Sequence, residues 1–144
     1  MAVERLELAA ALSRFAHAGQ KDKGGAPYYL HPLHVSEHVT TEDEKVVALL
    51  HDVLEDTDVQ PNTIFDLFGE TVYYALIAIT KMGHEPYDAY ITRVGMNPIA
   101  RNVKIADLEH NMDLSRLDHE PTDKDIQRVE RYRHSRDRLL NLHD

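Results

Sequence analysis

TEDEKVVALLHDVLED, residues 41–56, decides the fold. Thr41 and Glu44 stand three apart, the spacing of a capping box, in which each side chain satisfies the other's backbone amide at a helix N-terminus. Val46, Leu49, Leu50 and Val53 follow at helical intervals, which predicts one helix running from Thr41 toward Asp56 with an apolar stripe. The same period recurs on both sides. Leu8, Ala11, Leu12 and Phe15 mark a helix that Gly19 can end, and Pro32 suits the first turn of the next. Downstream, Ile64 to Phe68, Val72 to Ile79 and Tyr87 to Val94 repeat it. Two further helices open at Pro98 (Ile99, Val103, Ala106) and at Thr122 (Ile126, Val129, Tyr132). No segment alternates apolar and polar residues over a strand length. The reading is an all-α bundle of about seven or eight helices in one domain over residues 1–144.

Composition narrows what that bundle does. Twenty-five acidic and 16 basic residues leave a net charge of −9, which disfavours generic binding to nucleic-acid backbones. With no cysteine there is no thiolate zinc site, iron–sulfur cluster, disulfide or cysteine nucleophile. No apolar run is long enough to span a membrane. The N-terminus lacks the basic start and apolar middle of a signal peptide, so the chain reads as cytoplasmic. Ten histidines are the unusual feature, since histidine is the commonest metal ligand and an acid/base near neutral pH.

His51-Asp52-Val53-Leu54-Glu55-Asp56 sets four polar residues on an otherwise apolar helix, a costly arrangement to bury unpaired. The pairs 51/55 and 52/56 are each one turn apart. His31 enters a helix directly before Pro32, where its backbone is restricted. Lys104, Asp107 and Asn111 share one helical face. Together His31, His51, Asp52 and Asp107 form a two-histidine, two-aspartate set suited to Mn²⁺, Fe²⁺, Co²⁺ or Zn²⁺ with room left for water and substrate. His34 and His38, one turn apart, read as a helix face, and the arginine-rich stretch from Arg128 to Arg138 as a mixed-charge surface helix or a dimer or lid contact.

Taken in order, Phe15-Ala16-His17-Ala18-Gly19-Gln20, Pro27-Tyr28-Tyr29-Leu30-His31-Pro32, His51 to Asp56, Phe68-Gly69, Thr80-Lys81, and Lys104-Ile105-Ala106-Asp107 with Asn111 resemble the HD-domain metal-dependent phosphohydrolases. The likeness is closest to the hydrolase domain of the RelA/SpoT-type alarmone enzymes and their small stand-alone relatives. The resemblance implies an all-helical HD domain holding one divalent ion, usually Mn²⁺, through His31, His51, Asp52 and Asp107. Glu55 and Asp56 would serve the attacking water without ligating the metal, and Lys23, Lys104 and Asn111 would contact substrate, with pairing to a metal-site carboxylate the other role open to Lys104. The implied reaction removes the 3′-pyrophosphate of guanosine tetraphosphate. Some animal relatives also act on the 2′-phosphate of NADPH, and a non-catalytic nucleotide sensor is the alternative outside enzymes. Three departures bear on substrate: Asp22 stands where family members commonly carry an arginine that stacks on guanine, which a carboxylate cannot do; Leu108-Glu109-His110-Asn111 replaces the familiar Arg-Leu-His-Asn; and Leu114 stands where a threonine is often found.

Overall fold

Val46-Val47-Ala48-Leu49-Leu50 are all 2% exposed or less, and a helix buried on every side belongs at the centre of a bundle. In the computed structural model, which describes residues 4–142, that helix is α3 (Glu42–Leu50), and α1 (Arg5–Ala16) and α2 (Leu30–Glu37) pack against it. After α3 come α4 (Val53–Asp56), α5 (Pro61–Phe68), α6 (Glu70–Ile79), α7 (Tyr87–Gly95) and α8 (Pro98–Asn111). A 3₁₀ turn (Leu114–Arg116) then leads into α9 (Asp123–Leu140). Helices α6 and α8 complete the layer around α3, while α9 covers α8 from outside. Among the described residues there is no strand, only an isolated bridge between Lys21 and Pro27. The all-α bundle expected from the periodicity is the architecture observed.

Caps fix where the helices begin. Thr41 Oγ1 accepts from Glu44 N at 3.1 Å and Glu44 Oε1 accepts from Thr41 N at 2.9 Å, the complete capping box. Asn97 caps α8 through Ala100 N, with Pro98 in its first turn. Thr122 and Asp125 make a second capping box at α9.

Three details differ from the periodic reading. Phe15 is 81% exposed, because α1 turns Ala9, Ser13 and the following His17 inward, residues spaced four apart. Ile126 on α9 is likewise half exposed, leaving Val129, Ser135 and Leu139 to face the bundle. The third is chemically consequential. The pattern predicts one helix through Asp56, whereas the chain breaks at Asp52 (φ −104°, ψ 0°) and resumes as the single turn α4. Adjacent residues on a regular helix point about 100° apart and do not face each other. The break lets His51 and Asp52 bring their side chains to one point.

Candidate active site

Three elements that meet at the end of α3 supply the cluster. His31 comes from the first turn of α2, His51 and Asp52 from the α3–α4 junction, and Asp107 from the middle of α8. His31 Nε2 lies 2.7 Å from Asp107 Oδ1, and His51 Nε2 lies 3.2 Å from the same oxygen and 3.0 Å from Asp52 Oδ2. A ligating atom from each of His31, His51 and Asp52 falls within 4.8 Å of the others. Each side chain is also held from outside. His51 Nδ1 donates to the Ala48 carbonyl at 2.6 Å, which leaves Nε2 as the inward donor atom. His31 Nδ1 is 2.7 Å from His110 Nδ1. The Tyr28 hydroxyl donates to Asp52 Oδ2. Lys104 Nζ and Asn111 Nδ2 donate to the two oxygens of Asp107, at 2.9 and 3.1 Å.

The electrostatics suit a cation. Burial alone would push the Asp107 carboxyl up, but Lys104 and His51 override it and hold it well below the usual range. Burial likewise opposes ionisation of Asp52, and His51 brings it down to about 2. For His51, burial opposes charge, yet the Asp52 and Asp107 carboxylates raise its pKa well above the ordinary value. Two ionised carboxylates thus converge on two imidazole nitrogens. These residues fit a borderline divalent ion, whose binding would displace the His51 proton.

Glu55 and Asp56 follow on α4, and a carboxylate oxygen from each lies within 4.8 Å of one on Asp52. Partial burial, then the Asp52 charge, raises both pKa values. Glu55 Oε1 accepts from Lys81 N at 3.1 Å, and Gln20 Nε2 donates to the Asp56 carbonyl at 3.1 Å. A carboxylate so biased is able to hold or accept a proton closer to neutral pH.

A cavity of about 260 Å³ opens from His31 and Tyr28. Lys23 and Asn111 line it, and Lys21, Arg116 and Arg128 add positive charge. Lys104 is not among the cavity's lining residues. It sits beneath the cluster, paired with Asp107 and 5.3 Å from the centre of the Tyr90 ring. Asp22 also lines the cavity, but its Oδ1 is committed to the loop, accepting from Gly24 N and Ala26 N at 2.9 Å each. The sequence reading did not single out Arg116 or Tyr132 for this cavity, nor place Arg128 there. The signal available was the one-turn spacing of Arg128 and Tyr132, which sets both on one face of α9.

The remaining histidines near the site form a chain. His31 and His110 lie edge to edge through their Nδ1 atoms, with ring centres 5.0 Å apart, while His110 stacks on His34 and His34 on His38, with centres 3.7 and 4.1 Å apart. Burial, then Arg116, lowers the His110 pKa to about 3, so this ring is neutral. His34 and His38 belong to no group of three metal-ligating side chains among the described residues. His17 is buried and tilts against Tyr28 at 5.0 Å between centres.

Comparison with known proteins gives the same direction. No protein-family model matches the chain. A guanosine-3′,5′-bis(diphosphate) 3′-pyrophosphohydrolase from Aquifex aeolicus is 38% identical over 88 residues, covering 58% of this chain and 13% of that protein. The bifunctional (p)ppGpp synthase/hydrolase SpoT of Escherichia coli is 30% identical over 125 residues, covering 76% of this chain and 18% of that protein. A GTP pyrophosphokinase from Myxococcus xanthus is 32% identical over 126 residues, 75% of this chain and 16% of that protein. The chain therefore spans less than a fifth of the length of these curated relatives. Among solved structures, a metazoan ortholog of SpoT, described as hydrolysing ppGpp, superposes with a TM-score of 0.80 at 24% identity. That match covers 98% of this chain and 88% of the other, a likeness of fold.

Proposed function

Because this chain is an HD-type domain like the hydrolase domain of the RelA/SpoT proteins, we propose that it is a divalent-metal-dependent phosphohydrolase acting on guanosine tetraphosphate or a closely related nucleotide. One observation carries the reading: the convergence of His31, His51 and Asp52, with Asp107 Oδ1 against both histidines, beside two carboxylates of raised pKa. His31, His51, Asp52 and Asp107 would hold the ion, with Mn²⁺ the metal we favour. When bound, such an ion lowers the pKa of a coordinated water and offsets charge on phosphoryl oxygens.

The chain's own residues do the rest. The Ala48 carbonyl and the Tyr28 hydroxyl fix His51 and Asp52 so that their donor atoms stay convergent. Lys104 keeps Asp107 ionised from below. Glu55 and Asp56 take up the proton released when water attacks phosphorus, and return one to the leaving oxygen. Lys23 and Asn111, in the adjoining cavity, orient the phosphorylated substrate. Such a substrate is found in the cytoplasm, where we place the protein.

A substrate panel tests this reading. The purified protein with Mn²⁺ is expected to convert guanosine tetraphosphate to GDP and pyrophosphate, and His51→Ala to yield neither. Release of phosphate from NADPH but no product from guanosine tetraphosphate would move the substrate assignment, in keeping with Asp22 replacing a base-stacking arginine. No product from any phosphorylated nucleotide, in protein that holds its metal, would favour the sensor alternative.

A further inference from the structure

We infer that Arg116 is a positioning residue that sets the anion affinity of the cavity by pairing with Asp22. This inference rests on reading the cavity as the site of a phosphorylated substrate.

The guanidinium joins three pieces of the chain. Arg116 Nη1 donates to the His110 carbonyl at 3.0 Å, at the C-terminal end of α8 where cations are favoured. The same nitrogen donates to Asn111 Oδ1 at 3.3 Å. With Oδ1 so used, Asn111 turns Nδ2 toward Asp107 Oδ1. Nη2 lies 3.5 Å from Asp22 Oδ2. Asp22 cannot swing away, because its other oxygen holds the turn through Gly24 N and Ala26 N. The approach is also fixed by main chain, since a Cβ on Gly24 would lie 2.1 Å from the Arg116 carbonyl oxygen.

A carboxylate tied into the wall of a phosphate-binding cavity would repel its ligand. Arg116 offsets that charge where it stands, and its link through Asn111 to Asp107 joins the substrate loop to the cluster. Arg116 thus allows an acidic residue at position 22 without loss of anion binding. Its contribution should fall on substrate binding rather than on the chemical step.

A double-mutant cycle tests this. Wild type, Arg116→Gln, Asp22→Asn and the double variant are compared for KM and kcat on guanosine tetraphosphate with Mn²⁺. GDP binding to the metal-free proteins is measured in parallel by calorimetry. Asp22→Asn keeps the acceptor that closes the turn and removes only the charge. Arg116→Gln is expected to raise KM about tenfold with kcat within about threefold of wild type. The double variant should return KM to within about threefold of wild type, because the unpaired charge is gone. GDP affinities should follow the same order, with Asp22→Asn alone binding GDP at least as tightly as wild type. An unchanged KM in Arg116→Gln, or a double variant as weak as that single variant, overturns the inference. Should Arg116→Gln fail to fold, weaker GDP binding by Asp22→Asn overturns it equally. Absence of turnover in wild type contradicts the phosphohydrolase reading, and the GDP cycle then decides the role of Arg116 by itself.

Discussion

Replacing Glu55 by Gln and Asp56 by Asn together is expected to lower kcat by about 10²–10⁴-fold, the usual worth of general acid–base catalysis, while metal content stays that of wild type. Both side chains keep their shape and lose the ability to exchange a proton. Their surroundings favour proton transfer: partial burial and the Asp52 charge raise both pKa values. His31, His51, Asp52 and Asp107 contact one another without them, since Asp107 Oδ1 bridges His31 and His51 and the Asp52 carboxylate reaches His51. Turnover and bound metal, measured on the same sample, separate the possibilities. Loss of metal would make Glu55 or Asp56 a ligand. Retained turnover would remove them from proton transfer. Unchanged affinity for a nucleotide that neither protein turns over would fit a sensor.

Lys104→Met should destabilise the metal-free protein by about 3 kcal/mol, the low end of the usual cost of breaking a buried ion pair, because Asp107 keeps its contacts with His31 and His51. Lys104 Nζ lies 2.9 Å from Asp107 Oδ2, and the two side chains are 14% and 6% exposed. Lys104 is also the principal reason the Asp107 carboxyl titrates low despite its burial. Methionine keeps the length of the apolar stem, so the loss is one of charge. A divalent ion on Asp107 would supply the missing positive charge, so the cost should shrink when Mn²⁺ saturates the protein. Urea unfolding in chelator and in Mn²⁺ reads both numbers. An equal cost in the two conditions would mean that the ion and Lys104 do not share Asp107. Wild-type stability with a raised KM would instead make Lys104 a substrate contact.

Much of the fold could be read locally. The capping box at Thr41, the proline at 98 and the apolar period give helices whose starts depend on neighbours three or four residues away. That His31, His51, Asp52 and Asp107 come together could be read because His51 and Asp52 are adjacent and because His31-Pro32 and Lys104 to Asn111 carry recognisable local patterns. The break at Asp52 could not, because helical periodicity does not report a change of a few tens of degrees in ψ at one residue. Nor could the cavity wall. Arg116 and Arg128 gain meaning only when the 3₁₀ turn and α9 bring them against the loop from Lys21 to Gly24. Phe15 misled because a four-residue apolar match fits two neighbouring faces of a helix, and packing chose the face carrying Ala9, Ser13 and His17.

The most direct test counts bound Mn²⁺ by electron paramagnetic resonance and follows guanosine tetraphosphate hydrolysis in the same tube, for wild type and His51→Ala. The expected result is one tightly bound ion and release of pyrophosphate in wild type, with both abolished in His51→Ala and hydrolysis stopped by chelator in wild type. Hydrolysis at the wild-type rate by metal-free protein, or full metal binding by His51→Ala, would contradict a reaction carried by an ion held at His31, His51, Asp52 and Asp107.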